Sequence, residues 1–284
     1  MRLLFLTLAA LILSTTAVAQ VANPANQQKQ KELSSWIMNY YKSPAPEKFV
    51  EKVKASSEVG RLLSTGPRAR KNANVMFLGK VMAANPTQIA GWMDDLKTLP
   101  DAEYAVLKKA VWYSGTDAGN AWLKANGESK LADGPRPQLL SNQRAMQMQP
   151  ADLDSLWEWF FATGDKEPVE KIVSLFSLAH EAPPKDSLAL LSPPKMPTQK
   201  DIDAFKDQKA DGKKVDPATL YRLQSSNFRL VGPGIWSTSS LASRHDRVLE
   251  ILEAAYAKKQ RPRIKAWLGQ IIKVAKTRRA KAAS

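Results

Sequence analysis

The chain has 284 residues, a formal net charge of +15 at pH 7 and no cysteine. Without cysteine it can form no disulfide bond, and no thiol can act as a catalytic nucleophile. A chain of this length can bury a full hydrophobic core and form one large domain or two modest ones.

Residues 1–19 have the layout of a secretory signal peptide. Arg2 supplies a positive start, residues 3–13 are almost entirely apolar, and small residues precede a cleavage position after Ala19. The apolar stretch is too short to span a bilayer. We therefore expect a mature chain that begins at Gln20 and has no transmembrane segment. We expect it in the periplasm or, alternatively, secreted.

Apolar residues recur through most of the mature chain with the period of an α-helix, and two-residue alternation is almost absent. Three stripes show this period: Ile89, Trp92, Met93 and Leu96; Val169, Ile172, Val173 and Phe176; and Val248, Ile251, Leu252, Ala255 and Tyr256. Short breaks such as Gly115-Thr116-Asp117 and Thr163-Gly164-Asp165 separate the helical segments, and Gly232-Pro233-Gly234 predicts a break or kink at a helix end. We predict an all-α fold of antiparallel helix pairs, built like an α-α solenoid or bundle.

The helical pattern repeats along the chain, which predicts an internal duplication. Leu33, Phe49 and Val53 match Leu153, Val169 and Val173 at an offset of 120, and Met82, Ile89 and Met93 match Leu241, Val248 and Leu252 at an offset of 159. A proline- and lysine-rich stretch explains the larger offset as a flexible insertion in the second half. The predicted organisation is an N-terminal helical half at 20–125, a connector at 126–150, a C-terminal half at 151–260 with the insertion at 182–217, and a basic helix and tail at 261–284.

The residues offer no clear catalytic or metal-binding pattern. The two histidines, His180 and His245, lack the spacing of metal ligands, and we interpret both as helix-end or surface residues. No phosphate-binding glycine loop and no nucleophile elbow occurs. We expect no metal and no cofactor.

In one short segment, Glu128-Ser129 is followed by Arg144-Ala145-Met146-Gln147 and then by Pro150-Ala151. This segment resembles the lytic transglycosylases, helical exported enzymes that cleave peptidoglycan, in which a catalytic Glu-Ser precedes Gly-Leu-Met-Gln. The resemblance implies that Glu128 would be a general acid. Arg-Ala replaces Gly-Leu, however, and no downstream Tyr-Asn segment follows, so a solvated loop carboxylate is the preferred interpretation.

The last 27 residues contain most of the excess positive charge. Between residues 258 and 284 there are ten basic residues and no acidic one, while Ile264, Trp267, Leu268, Ile271, Ile272 and Ala275 form an apolar stripe. Such a helix either packs its stripe on the protein core or lies on an anionic membrane. In both cases the basic residues are candidates for contact with a polyanion or membrane: Arg261, Arg263, Lys265, Lys273, Lys276, Arg278, Arg279 and Lys281.

Several segments also resemble a group of uncharacterised, exported, all-helical proteobacterial proteins. These are 153–173, with its Phe160-Phe161-Ala162-Thr163-Gly164-Asp165, together with Phe77-Leu78, Asn85-Pro86, Tyr221-Arg222-Leu223 and Ile235-Trp236-Ser237. The resemblance implies the fold and the compartment but no activity.

These observations favour an exported helical module that binds or organises an envelope component, and not an enzyme. The expected partner is an envelope protein or an anionic envelope polymer or lipid, because nucleic acid is not expected outside the cytoplasm. The two alternatives are a peptidoglycan-cleaving enzyme that uses Glu128 and a membrane-surface protein that binds through its basic C-terminal helix.

Overall fold

The computed structural model describes residues 24–59, 74–136, 150–179 and 217–283, together with 139, 140, 148 and 183. Within these residues the fold is entirely helical and no strand occurs, as the periodicity predicts. The predicted signal peptide and nearly all of the predicted insertion lie outside the described residues. The described part contains no helix with the length and apolar character needed to cross a membrane.

Twelve α-helices are described, seven before residue 140 and five after it. The first seven are α1 (Pro24–Asn39), α2 (Phe49–Val59), α3 (Val75–Ala84), α4 (Ile89–Asp95), α5 (Asp101–Ser114), α6 (Asp117–Ala125) and α7 (Ser129–Ala132). The others are α8 (Pro150–Thr163), α9 (Lys166–Ser174), α10 (Pro217–Ala242), α11 (Asp246–Ala257) and α12 (Pro262–Ala283). Short 3₁₀ turns occupy Tyr40–Lys42, Pro46–Lys48, Pro86–Gln88 and Leu175–Leu178. The predicted connector therefore contains a short helix, α7.

The predicted apolar stripes form the core, with one exception. Every member of the stripes on α4, on α9 with its following 3₁₀ turn, and on α11 up to Ala255 is buried. Tyr256, predicted as the last member of the α11 stripe, is 39% exposed, so that part of the prediction is wrong. Its ring lies at the surface beside Gly269 of α12. A Cβ atom placed on Gly269 would lie 3.3 Å from this ring.

Helix α3 is the central helix of the first half and packs against both α5 and α8. Seven of its ten residues are buried. Gly79 permits the close approach of α5, because a Cβ atom at this position would lie 2.8 Å from the Tyr113 Cβ and 2.9 Å from the Ala110 carbonyl oxygen.

The prediction that Gly232-Pro233-Gly234 ends a helix is wrong, since Pro233 lies inside α10. Packing against α9 and the turn that follows it keeps the helix continuous. A Cβ atom placed on Gly234 would lie 3.7 Å from Ile172 Cγ2 and 3.9 Å from Phe176 Cε1. The Thr238 hydroxyl also donates to the Gly234 carbonyl at 2.7 Å. Burial thus outweighs the local preference of proline for a helix end.

Helix α12 packs against α10 and α11 and contacts the 3₁₀ turn Leu175–Leu178. Its stripe is buried, at Ile264, Trp267, Leu268, Ile271, Val274 and Ala275, and Ile272 is partly buried. The sequence left two arrangements for this helix, packing on the core or lying on a membrane. In the structure the stripe is part of the core.

Candidate functional site

The basic outer face of α12 is the candidate functional site. Alanine, lysine and arginine make up twelve of the 22 residues of this helix, and all three favour helical backbone. Pro262 begins the helix, where the missing N–H of proline costs no hydrogen bond. Because the stripe faces inward, the remaining side chains of α12 project outward from a fixed support.

Two of the eight predicted contact residues are engaged in ion pairs within the protein. The Lys276 ammonium lies 2.6 Å from a Glu253 carboxylate oxygen. The Arg279 guanidinium pairs with Asp246 and also donates two hydrogen bonds to the Ala242 carbonyl, at 3.0 and 2.7 Å. Arg279 therefore joins α12 to the end of α10 and the start of α11.

The other predicted contact residues lie at the surface. Arg261, Arg263, Lys265, Lys273, Arg278 and Lys281 are exposed. The Lys265 ammonium lies 5.2 Å from the centre of the Tyr256 ring, a cation–π contact that leaves the charge accessible to water. The outer face of α12 is thus cationic over its whole length.

A cavity of about 490 Å³ adjoins the first turn of this helix. Its described lining consists of Ser177, Pro183, Arg261, Pro262, Arg263 and Ala266. The structure therefore brings Arg261 and Arg263 together at one concave surface, which the sequence pattern did not predict.

Glu128, the candidate general acid, is placed in an ion pair. Its carboxylate lies 2.5 Å from the Lys108 ammonium, and both side chains are partly exposed. Glu128 precedes α7, and its backbone N–H donates to the Leu123 carbonyl at 2.8 Å. Residues 144–147, the other part of the transglycosylase resemblance, lie outside the described residues.

Glu158 is a buried carboxylate that the sequence analysis did not single out. Its side chain is 7% exposed on α8 and accepts hydrogen bonds from the backbone N–H groups of Asn74, Met76 and Phe77, at the start of α3. Burial raises the pKa of Glu158 to about 8, although the three N–H groups lower it. This carboxylate accepts hydrogen bonds from the first N–H groups of α3, although it belongs to a different helix. The only feature of the sequence that could have identified it is its position as the single charged residue within the aromatic run 157–161.

His245 lies at a helix end, as predicted, where it is the N-cap of α11, but its side chain is buried, with 4% exposed. Its Nδ1 atom is 3.2 Å from the Tyr41 hydroxyl, and its ring contacts the rings of Tyr41 and Phe161. Burial, together with the nearby cations Lys42, Arg244 and Arg279, lowers the pKa of His245 to about 4. The imidazole is therefore neutral at pH 7.

A second cavity, of about 430 Å³, lies above this corner. It is lined by Tyr41, Lys42, Thr163, Gly164, Asp246, Arg247 and Glu250. Its two acidic and two basic side chains balance one another, and Arg247 pairs with Glu250 at 3.2 Å. In contrast to the cavity at α12, this one has no excess of either charge.

The described residues contain no group of three histidine, aspartate or glutamate side chains that could hold a metal ion. No protein family, no curated protein and no solved structure matches the chain closely enough to indicate a relationship. The functional argument therefore depends on the geometry and charge of the residues themselves.

Proposed function

We propose that this chain is an exported, non-enzymatic helical module that binds a polyanionic component of the cell envelope through the outer face of α12. The single observation that carries the proposal is the separation of the two faces of this helix. The apolar face is buried in the core, whereas the outer face exposes six predicted contact cations. Residues 254–284 contain no aspartate or glutamate.

The export proposal is supported by the layout of residues 1–19, and the mature chain would begin at Gln20 in the periplasm or outside the cell. Polyanions of that compartment present closely spaced phosphate or carboxylate groups. A rigid cationic face attracts such a surface over about one Debye length, about 8–10 Å in physiological salt.

The organisation that we propose for this support is a duplicated array of antiparallel helix pairs. Helices α1 to α5 correspond, in order, to helices α8 to α12. Three contacts between helices of the first half have a counterpart in the second half: α1–α2 corresponds to α8–α9, α2–α4 to α9–α11, and α3–α5 to α10–α12. The matched residues Phe49 and Val169, and Met93 and Leu252, are buried in both halves. Two-residue corners at 115–116 and 164–165 support antiparallel neighbours.

The two halves differ at the helix that forms the candidate site. Helix α5 begins with the acidic residues Asp101 and Glu103, whereas α12 has no acidic residue in its first turn. The cationic face is therefore a property of the second half alone, which is consistent with a specialised binding surface on a repeated framework.

The proposal predicts that three exposed cations of α12 account for most of the binding to an anionic surface. We expect the full mature chain to bind phosphatidylglycerol vesicles in low salt and to lose affinity as salt is added. Replacing Arg263, Lys273 and Arg278 with glutamine should weaken binding by roughly 100-fold, because each charge near an anionic surface contributes about 1 kcal/mol. Vesicle sedimentation at several salt concentrations measures the effect.

The matched control removes three exposed lysines from other helices, Lys31, Lys54 and Lys130. This variant has the same net charge as the first and should bind almost as well as the unmodified chain. Equal weakening by both variants would show that net charge, and not the α12 face, drives binding. Equal binding to neutral phosphatidylcholine vesicles would also contradict the proposal.

A further inference from the structure

The cavity beside the first turn of α12 differs from the rest of the cationic face in shape and in chemistry. It has a volume of about 490 Å³, within the range of small-molecule sites in proteins, whereas the remainder of the face is an outward-facing helix surface. Its charged lining residues are two arginines, and its described lining contains no carboxylate. The charge at this cavity is thus concentrated and of one sign.

The two arginines approach the cavity from adjacent parts of the chain. Arg261 precedes the helix, Arg263 lies in its first turn, and neither forms an ion pair with a described residue. Guanidinium groups bind oxyanions through two parallel N–H donors, which gives them a geometric preference that ammonium groups lack. Two such groups at one cavity suit an anion that carries more than one charge and several acceptor oxygens.

The rest of the lining indicates which kind of chemical group is attached to the anion. Pro183, Pro262 and Ala266 supply apolar surface, and the Ser177 hydroxyl already donates to the Ser174 carbonyl at 2.8 Å. The polar recognition therefore depends on the arginines, while the apolar walls fit a carbon-containing group next to the anion.

We propose that this cavity is a discrete binding site for a phosphate ester group, held by Arg261 and Arg263, on the otherwise diffuse cationic face. The inference rests on the proposed function, because the phosphate group would belong to the polyanion that α12 binds. A lipid headgroup and a phosphorylated polymer present the same chemistry, and the site takes the phosphate from either.

The test is an NMR titration of the ¹⁵N-labelled mature chain with dihexanoyl phosphatidic acid below its micelle concentration. We expect saturable shifts that are confined to Ser177, Arg261, Arg263 and Ala266. Replacing both arginines with glutamine should weaken binding at least about tenfold, because charged hydrogen bonds are lost. Replacing both with lysine should restore binding only in part, since the charge remains but the paired donors do not.

The matched control is the double replacement of Lys31 and Lys54 with glutamine, which removes the same charge from exposed positions of α1 and α2 and should change the affinity less than about twofold. Glycerol 3-phosphate and inorganic phosphate are titrated in parallel. Tighter binding of the lipid than of glycerol 3-phosphate assigns the source to a membrane, and equal binding of the two esters assigns it to a polymer. Equal binding of inorganic phosphate would contradict the ester specificity.

Shifts spread evenly along α12, or equal losses in the two double variants, would overturn the discrete site. If the chain binds phosphatidylglycerol vesicles but gives no saturable shifts with any phosphate probe, this inference fails and the proposed function stands. If the vesicles are not bound either, both fail.

Discussion

Replacing Trp267 with alanine is expected to lower the free energy of unfolding by about 3–5 kcal/mol, because it removes a large buried ring and leaves a cavity between helices. Trp267 is 7% exposed on the inner face of α12, where this helix packs against α10 and α11. Urea unfolding followed by circular dichroism measures the loss. Binding to anionic vesicles should change little wherever the variant is folded.

Two other substitutions make this prediction specific. Tyr256→Ala removes an aromatic ring that is 39% exposed on the neighbouring helix, and it should cost about 1 kcal/mol or less. Trp267→Phe keeps a buried aromatic ring but removes part of the indole, including an N–H that has no partner among the described residues, and it should cost less than Trp267→Ala. An unchanged stability in Trp267→Ala would show that the stripe is not part of the core, and the membrane-surface alternative would then be preferred.

The second large effect is on the pH dependence of stability, which His245 controls on the acid side. Its pKa falls from an ordinary value of 6.5 to about 4 on folding, so the folded protein binds fewer protons than the unfolded chain between these values. The contribution of His245 to stability is therefore complete above pH 6.5 and decreases as the pH falls toward 4, by about 3 kcal/mol in total. The cause is the cost of charging a buried imidazole beside Lys42, Arg244 and Arg279.

Glu158 acts in the opposite direction on the alkaline side. Its pKa rises from 4.5 to about 8 on folding, so the folded protein retains a proton that the unfolded chain loses. Its contribution to stability is complete below pH 4.5 and decreases as the pH rises through 8, by about 5 kcal/mol at most. The two residues together predict greatest stability between about pH 4.5 and 6.5.

Single substitutions assign each side of this profile. His245→Asn keeps a hydrogen-bond partner for the Tyr41 hydroxyl, and its stability should decrease steadily from pH 4.5 to pH 8, because only the Glu158 contribution remains. Glu158→Gln should lose stability as the pH falls from 6.5 to 4 and keep it constant above pH 6.5. Urea unfolding of the three proteins from pH 4 to pH 9 measures both effects. A constant stability of His245→Asn between pH 4.5 and 6.5 would show that His245 does not offset Glu158 in that range. If Glu158→Gln retains the full alkaline-side decrease, Glu158 is ionised throughout that range in the folded protein.

The core of the helices could be predicted from the sequence because helical periodicity is a local property. The stripe Ile89, Trp92, Met93 and Leu96 is buried at every position. Tyr256 fits the helical period but is exposed, because the facing helix α12 offers Lys265 and Gly269 beside its ring and no large apolar side chain that would cover it. Periodicity identifies the inner face of a helix, whereas the neighbouring helices determine how far burial extends.

The buried ionisable groups could not be predicted, because each depends on a partner that is distant in the sequence. The Glu158 carboxylate contacts backbone groups 81 to 84 residues away, and His245 contacts a hydroxyl 204 residues away. The same reason applies to the candidate site. Counting charges identified the basic segment, but only the tertiary structure separates Arg279, which binds the Ala242 carbonyl, from Arg261 and Arg263 at the cavity.

Hydrogen–deuterium exchange of the mature chain, alone and with phosphatidylglycerol vesicles, tests most directly whether α12 is a core helix that binds polyanions through its outer face. We expect the α12 amides between Ile264 and Ala275 to be strongly protected in the free protein, because the inner face of this part of the helix is buried in the core. Vesicles should leave this protection unchanged while the protein sediments with them. Rapid exchange of α12 in the free protein, with protection gained only on vesicles, would contradict this arrangement and show that the helix folds onto the membrane.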